Sequence, residues 1–145
     1  MKVLIQRVKK ARVDVEGKTV GQIKQGLLAF IGVEKNDSKD SAVRMLKKLL
    51  SYRVFSDEGG KMNKSVEDIN GEILLVSQFT LVANTKKGLR PSFSSAANPQ
   101  LSEELYDYMI KQAKATNLNI QSGQFAANMQ ISLVNDGPVT FNLEC

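Results

Sequence analysis

Two apolar runs without a polar face constrain the fold most strongly. Residues 26–33 read Gly-Leu-Leu-Ala-Phe-Ile-Gly-Val, and residues 72–77 read Glu-Ile-Leu-Leu-Val-Ser. A short segment that is apolar on both faces is typical of a strand covered by other structure on both sides. Both runs are well short of the roughly 18 residues that a membrane span requires. They therefore predict two interior strands of a sheet and no membrane-spanning segment.

The rest of the chain predicts more strands than helices. Alternating apolar residues indicate strands around residues 3–5 and 13–15, separated by a basic turn at Lys9-Lys10. Polar caps and helical spacing predict one helix after Ser38 and one after Asn98, with Tyr108 on the buried face of the second. Further strands are expected at residues 20–23, 53–55, 118–121, 129–134 and 139–143, with a turn at 135–138. These short, closely connected elements predict a single α+β domain spanning residues 1–145, with a mostly antiparallel sheet.

Two scarce residue types exclude several kinds of chemistry. The chain has no histidine, and its one cysteine is the last residue, Cys145. A disulfide within the chain, the usual zinc sites, a Ser-His-Asp triad and a Cys-His dyad are therefore excluded. The glycine motifs that bind nucleotide phosphates are also missing. We expect no metal and no cofactor. The opening residues do not form a secretory signal, so we expect a cytoplasmic protein.

The positive charge is concentrated at one end of the chain. The net charge is +5, and residues 1–25 hold seven basic and two acidic residues, which accounts for the whole excess. A second basic segment, residues 86–90, lies beside Phe93 in an aperiodic stretch that predicts a long loop. Such patterns fit an anionic partner, most commonly nucleic acid, bound through phosphate contacts and base stacking. The alternative is a solvated strand face and a solvated loop that Phe93 anchors.

Three further segments have both a functional and a structural interpretation. Residues 77–80, Ser-Gln-Phe-Thr, close an apolar strand with polar groups, which either form a site or satisfy the local backbone. Gly137-Pro138 forms either a plain turn or a fixed cis bond that presents carbonyl oxygens. Phe125 either stacks on a base or enters the core. No neighbouring base is evident that would activate the hydroxyl of Thr80.

Taken together, these segments resemble the D-aminoacyl-tRNA deacylase family over the whole chain. The residues that carry the resemblance are Gln6-Arg7-Val8, Gly26-Leu-Leu, Arg53-Val-Phe, Gly60-Lys-Met-Asn63, Ser77-Gln-Phe-Thr-Leu81, Arg90-Pro-Ser-Phe93 and Asn135-Asp-Gly-Pro-Val-Thr140. The combination of the Ser-Gln-Phe-Thr segment with the Gly-Pro segment is the most specific part.

The resemblance implies both a fold and an activity. The expected fold is α+β with two helices and a mostly antiparallel, barrel-like core. The expected activity is hydrolysis of the ester that joins a D-amino acid to the 3′-terminal adenosine of tRNA, and removal of glycine mischarged onto tRNA for alanine. The expected assembly is a homodimer with its pockets at the subunit interface. A non-catalytic nucleic-acid-binding module on the same fold is the alternative.

The resemblance also implies roles for individual residues. Ser77, Gln78, Phe79 and Thr80 would surround the amino acid and the ester, and Phe125 and Met129 would flank the terminal adenosine. Gly137-Pro138, which is cis in the family, would reach into the partner's pocket and exclude L-amino acids. Arg7, Lys86, Lys87 and Arg90 would contact tRNA phosphates. The nucleophile is either Thr80 or a water molecule assisted by the ribose 2′-hydroxyl.

The chain departs from the family pattern in the segment 122–128. Ala126 stands where we expect a glycine, Asn128 stands where we expect an acidic residue, and Gln124 replaces a residue that is frequently basic or apolar. These differences bear on the adenosine pocket rather than on the class of activity.

Overall fold

A six-stranded mixed sheet organises the protein, whose computed structural model describes residues 1–145. The chain has eight strands and two α-helices. The elements in chain order are β1 (Lys2–Val15), β2 (Lys18–Ile23), β3 (Gly26–Gly32), α1 (Lys39–Ser51), β4 (Phe55–Ser56), β5 (Met62–Lys64), β6 (Glu72–Ser77), a 3-10 helix (Phe79–Val82), α2 (Pro99–Lys114), β7 (Ile120–Ser122) and β8 (Gln130–Glu144).

The sheet is mostly antiparallel and nearly closes on itself. Its strand order is β2-β1-β3-β6-β7, and β8 pairs with β1 as well. β1 runs antiparallel to β2, β3 and β8, whereas β3, β6 and β7 run parallel to one another. The two ends of this order meet, since a Cβ atom at Gly21 of β2 would lie 2.6 Å from the carbonyl oxygen of Ser122 in β7. The predicted α+β, barrel-like fold is confirmed.

The two interior strands are buried on both faces, as their sequences predicted. Leu28 of β3 and Leu74 of β6 point into the smaller apolar cluster, which also contains Val13 of β1. Their neighbours Leu27 and Leu75 point into the larger cluster between the sheet and the helices. The side-chain period of two along each strand gives this division. β3 and β6 therefore give rigid support to the residues that follow the end of β6.

Polar caps begin both helices where the sequence predicted them. The Ser38 side chain accepts a hydrogen bond from the Ser41 N–H, and the Asn98 side chain accepts one from the Leu101 N–H. Tyr108 is half-buried and packs against the core, but the fully buried tyrosine of α2 is Tyr106, which the spacing did not predict. Neither helix has the length and apolar character needed to cross a membrane.

Two predicted turns are instead irregularities within long strands. β1 runs without a break through Lys9-Lys10, and β8 runs without a break through residues 135–138. Between the pairs Gln6↔Thr140 and Val8↔Asn135, one residue of β1 faces four residues of β8. The inserted residues form a bulge, which keeps the two strands paired on either side. Charged, glycine and proline residues mark such bulges as well as turns, which explains the error.

Candidate functional site

A cavity of about 460 Å³ opens where β6 ends. Most of its lining is apolar, and the polar groups come mainly from the end of β6 and from the segment before β8. The lining residues are Ile31, Val33, Val76, Ser77, Gln78, Phe79, Ala97, Pro99, Ser102, Tyr106, Phe125, Ala126, Ala127, Asn128, Met129 and Ile131. An apolar cavity with a few polar groups is the usual form of a small-molecule site.

The cavity brings together residues from distant parts of the sequence that we had predicted for one site. Ser77, Gln78 and Phe79 form one wall, and Phe125 and Met129 form another. A larger groove of about 770 Å³ lies beside β1, β2 and β8 and is lined in part by Lys10, Arg12 and Lys24. That groove is basic but holds none of the predicted catalytic residues, so the smaller cavity is the candidate active site.

The sheet holds the wall formed by Ser77, Gln78 and Phe79 in place. The N–H of Gln78 donates to the carbonyl oxygen of Ile31 at 2.8 Å, which extends the β3–β6 pairing by one residue. The chain then turns into the 3-10 helix, which packs closely over Gly32. A Cβ atom at Gly32 would lie 2.7 Å from a methyl group of Val82. The N–H groups of Phe79 and Thr80 begin this helix, where backbone donors have no acceptor within the helix.

Thr80 has a neutral partner. The side-chain amide of Gln78 donates to the Thr80 hydroxyl oxygen. A carboxamide cannot take up the hydroxyl proton, so this contact orients Thr80 without activating it as a nucleophile. Thr80 is exposed and lies outside the lining of the cavity, whereas Gln78 is half-buried within it.

The opposite wall is aromatic. The rings of Phe125 and Tyr106 lie 6.0 Å apart at an angle of 39°. The Tyr106 hydroxyl donates to the carbonyl oxygen of Leu75 at 2.9 Å. Burial, together with the negative charge of Asp107, raises the pKa of Tyr106, so its hydroxyl remains a donor. Tyr106 was missed from sequence because helical spacing alone did not distinguish it from Tyr108.

The segment that departs from the family pattern forms the floor beside Phe125. Ala126 has a φ of +58°, in the left-handed region that favours glycine. This explains why a glycine is expected there. Met129 packs against Gly123, where a Cβ atom would lie 2.7 Å from the methionine sulfur. Phe125 and Met129 are both half-buried, so each keeps a face toward the cavity.

Gly137 and Pro138 lie in the β8 bulge, outside this cavity. Both are exposed, and the peptide bond between them is cis, as the resemblance implied. Gly137 has a φ of +133°, and a Cβ atom there would meet a methyl group of Val139 at 2.8 Å. Only glycine fits this position. Neither Gly137 nor Pro138 is among the residues that line the cavity of its own chain.

Arg7 holds the bulge and does not present its side chain for the predicted phosphate contact. Its Nε donates to the Asp136 carbonyl oxygen at 3.0 Å, and its Nη1 donates to the Val54 carbonyl oxygen at 2.6 Å. Nε also lies 3.4 Å from the Asp136 carboxylate, and the side chain is only 12% exposed. Arg7 is the single β1 residue opposite the four inserted residues of β8. Its guanidinium therefore binds groups of its own chain.

The other predicted phosphate contacts, Lys86, Lys87 and Arg90, are exposed. They lie on a loop whose base is closed by two backbone hydrogen bonds between Asn84 and Ser92, of 2.8 and 3.0 Å. The loop lies outside the lining of the cavity and follows directly on the 3-10 helix.

Comparison with known proteins identifies the family of the chain. The family profile described as D-Tyr-tRNA(Tyr) deacylase matches residues 4–144. The chain belongs to this family. It is 59% identical over 143 residues to a D-aminoacyl-tRNA deacylase from Pseudoalteromonas translucida (strain TAC 125), covering 99% of both chains. It is 60% identical over 144 residues to another from Ectopseudomonas mendocina (strain ymp), also covering 99% of both.

Solved structures share the fold of this deacylase family member. One, described as c-Myc DNA Unwinding Element Binding Protein, is 39% identical, has a TM-score of 0.94, and is matched over 100% of this chain and 99% of its own. Another is described as a probable eukaryotic D-amino acid tRNA deacylase, with a TM-score of 0.84 over 98% of this chain and 97% of that chain. At 16% identity, the second shows likeness of fold alone.

Proposed function

We propose that this member of the deacylase family hydrolyses D-aminoacyl-tRNA to a free D-amino acid and tRNA. The observation that carries the proposal is the cavity itself. It joins Ser77, Gln78 and Phe79 to an aromatic wall that contains Phe125, in a chain whose relatives are named for this activity. The cavity is large enough for a nucleoside and a small acyl group.

Water is the proposed nucleophile. Its oxygen attacks the ester carbonyl carbon, the bond from that carbon to the ribose 3′-oxygen breaks, and the proton passes to the 3′-oxygen. The Gln78 contact leaves Thr80 without a base, so we assign assistance of the water to the ribose 2′-hydroxyl. The N–H groups of Phe79 and Thr80 would stabilise the oxyanion, an effect worth roughly 3–4 kcal/mol per donor in other hydrolases.

A second copy of the chain would complete the site. Gly137 and Pro138 are exposed and lie off the cavity of their own chain, which supports a homodimer in which each bulge enters the partner's cavity. Carbonyl oxygens presented by a rigid backbone would collide with an L side chain but leave room for hydrogen on that face. Selection would then depend on exclusion of the wrong substrate. Glycine, with hydrogen on both faces, would be accepted, including glycine on tRNA for alanine.

Phe125 and Met129 would hold the terminal adenosine, and Lys86, Lys87 and Arg90 would contact tRNA phosphates without sequence preference. Ser77 would complete the polar edge of the ester site. A substrate of this kind places the activity in the cytoplasm.

The decisive experiment compares D-tyrosyl-tRNA with L-tyrosyl-tRNA. We expect the purified protein to release D-tyrosine and to spare the L-ester. Thr80→Ala should retain substantial activity, whereas a tRNA with a 2′-deoxy terminal adenosine should not be hydrolysed. The reverse pattern would make Thr80 the nucleophile. Equal hydrolysis of both enantiomers would refute selection by the Gly-Pro segment.

A second candidate function is binding of nucleic acid without catalysis. The solved structure at 39% identity is described as a DNA-unwinding-element-binding protein, and the chain carries a net charge of +5. Tight binding of uncharged tRNA or of duplex DNA, with no turnover of any D-aminoacyl-tRNA, would favour this candidate over the hydrolase.

A further inference from the structure

An exposed pair of aromatic rings lies at the rim of the cavity. The side chains of Phe79 and Phe93 are 61% and 39% exposed, and their ring centroids are 5.1 Å apart at an angle of 45°. Phe79 contributes to the cavity lining and Phe93 does not, so Phe93 extends the aromatic surface outward from the site. Single exposed apolar residues are common, but adjoining exposed rings at the mouth of a site indicate a surface that something covers.

The charge around these rings identifies the kind of partner. Residues 73–102 contain no aspartate or glutamate, and their three basic residues are Lys86, Lys87 and Arg90. The Asn84–Ser92 hydrogen bonds place these three at the tip of a loop, and Phe93 directly follows its base. Exposed cations beside exposed aromatic rings suit single-stranded nucleic acid, whose phosphates and bases bind the two kinds of group respectively.

We propose that Phe79 and Phe93 form a stacking platform for the base of the penultimate nucleotide of the tRNA. The inference rests on the proposed function, which places the terminal adenosine and its ester in the cavity. The nucleotide before it must then leave across the rim, where Phe93 continues the surface that Phe79 begins. Unpaired bases at a strand end stack readily on aromatic side chains, and every base offers a flat face. The platform therefore accepts any base at that position.

Two substrates that differ only beyond the terminal nucleotide test the proposal. One is D-tyrosyl-tRNA, and the other is adenosine carrying D-tyrosine on its 3′-oxygen. We expect Phe93→Ala to lower kcat/KM on the tRNA by about tenfold or more, mainly through KM, because one base stack is lost. The same variant should hydrolyse the aminoacyl-adenosine at the wild-type rate. Phe93→Trp should restore activity on the tRNA.

A tRNA with an abasic penultimate nucleotide links the effect to the base. The kcat/KM of the wild-type protein on this abasic tRNA should be lower than on the intact tRNA by about the factor that Phe93→Ala causes on the intact tRNA. The kcat/KM of Phe93→Ala should be the same on the abasic tRNA and on the intact tRNA. Phe141→Ala is the matched control, since Phe141 is also 39% exposed but packs edge-on against Tyr52 away from the cavity. If Phe93→Ala does not fold, Phe93→Leu replaces it in these assays, because leucine keeps an apolar contact with Phe79 but offers no aromatic ring for stacking.

Several results would overturn the platform. An equal loss on both substrates would mean that Phe93 shapes the cavity itself. An unchanged rate on the tRNA would mean that the rings do not contact it. A loss accompanied by a change in sedimentation would assign the rings to contact with a second copy of the chain. If the wild-type protein hydrolyses neither D-ester, the proposed function fails, and the platform is then judged by affinity for uncharged tRNA with and without the penultimate base.

Discussion

The cavity wall formed by Ser77, Gln78 and Phe79 and the bulge at residues 136–139 are held in contrasting ways. The wall continues an interior strand, and its first residue beyond β6 still pairs with β3 through the Gln78–Ile31 hydrogen bond. The bulge leaves its ladder altogether and is fastened by one side chain, that of Arg7. The wall faces a cavity within its own chain, whereas Gly137 and Pro138 of the bulge are exposed to solvent.

This difference separates two tasks of the proposed reaction. The groups assigned to ester hydrolysis are fixed by the sheet and need no partner. The groups assigned to the choice between D- and L-substrates depend on Arg7 and, in our proposal, on a second chain. Substitutions at the bulge should therefore change selectivity with little effect on hydrolysis, and substitutions at the wall should do the opposite.

The largest expected effect comes from Arg7→Ala. The substitution removes donors from the carbonyl oxygens of Asp136 and Val54, so residues 136–138 lose their fixed position. We expect the ratio of D- to L-tyrosyl-tRNA hydrolysis to fall by about 100-fold, which corresponds to roughly 3 kcal/mol of discrimination. Steady-state rates on both enantiomers measure it, and D-tyrosyl-tRNA hydrolysis should change much less.

Two companion variants make this result specific. Lys9→Ala removes an exposed cation from the same strand and should leave selectivity unchanged. Arg7→Lys keeps the charge but loses the planar, multidentate geometry, and should restore only part of the selectivity. If Lys9→Ala lowers the ratio of D- to L-hydrolysis as much as Arg7→Ala does, positive charge on β1, rather than the fixed bulge, is responsible for selectivity.

A smaller effect is expected at Tyr106, which lies in the aromatic wall of the cavity and is hydrogen-bonded to β6 through the Leu75 carbonyl oxygen. Tyr106→Phe removes one of two donors to the carbonyl oxygen of Leu75, which still accepts from the Gly123 N–H at 2.9 Å. The loss of this one buried hydrogen bond should lower the free energy of unfolding by about 0.5–1.5 kcal/mol. The ratio of D- to L-hydrolysis should not change, because Tyr106 belongs to the lining of the cavity and not to the β8 bulge. Urea unfolding with matched kinetics measures both quantities.

Tyr108→Phe is the control for Tyr106, since it removes a hydroxyl from the same helix at a half-buried position. It should leave the unfolding free energy nearly unchanged. A fall in selectivity in Tyr106→Phe would instead show that the cavity lining and the bulge are coupled, so that hydrolysis and selectivity are not separate tasks.

The sequence predicted the wall better than the bulge, for a physical reason. The strands leading to Ser77 and the caps at Ser38 and Asn98 are local signals, readable from apolar runs and neighbouring polar residues. The bulge depends on which residue of β1 faces which residue of β8, a pairing between segments more than 100 residues apart. Local turn signals cannot report that register, so residues 135–138 were predicted as a turn. Arg7 was predicted as a phosphate contact from its charge and from the family resemblance, neither of which reports its position opposite the bulge.

The smallest expected effect is a gain in stability within the cavity floor. Ala126 adopts a φ of +58°, and Ala126→Gly removes the cost of that conformation while making the unfolded chain more flexible. The net result should be an increase of about 0.5–1 kcal/mol in the free energy of unfolding. Ala127→Gly is the matched control, because Ala127 is not among the residues with positive φ, and it should be neutral or destabilising. If both variants destabilise the protein equally, the left-handed backbone at Ala126 costs nothing, and the floor has no local strain to relieve. If only Ala126→Gly stabilises it, with selectivity unchanged, the floor is tuned independently of the bulge.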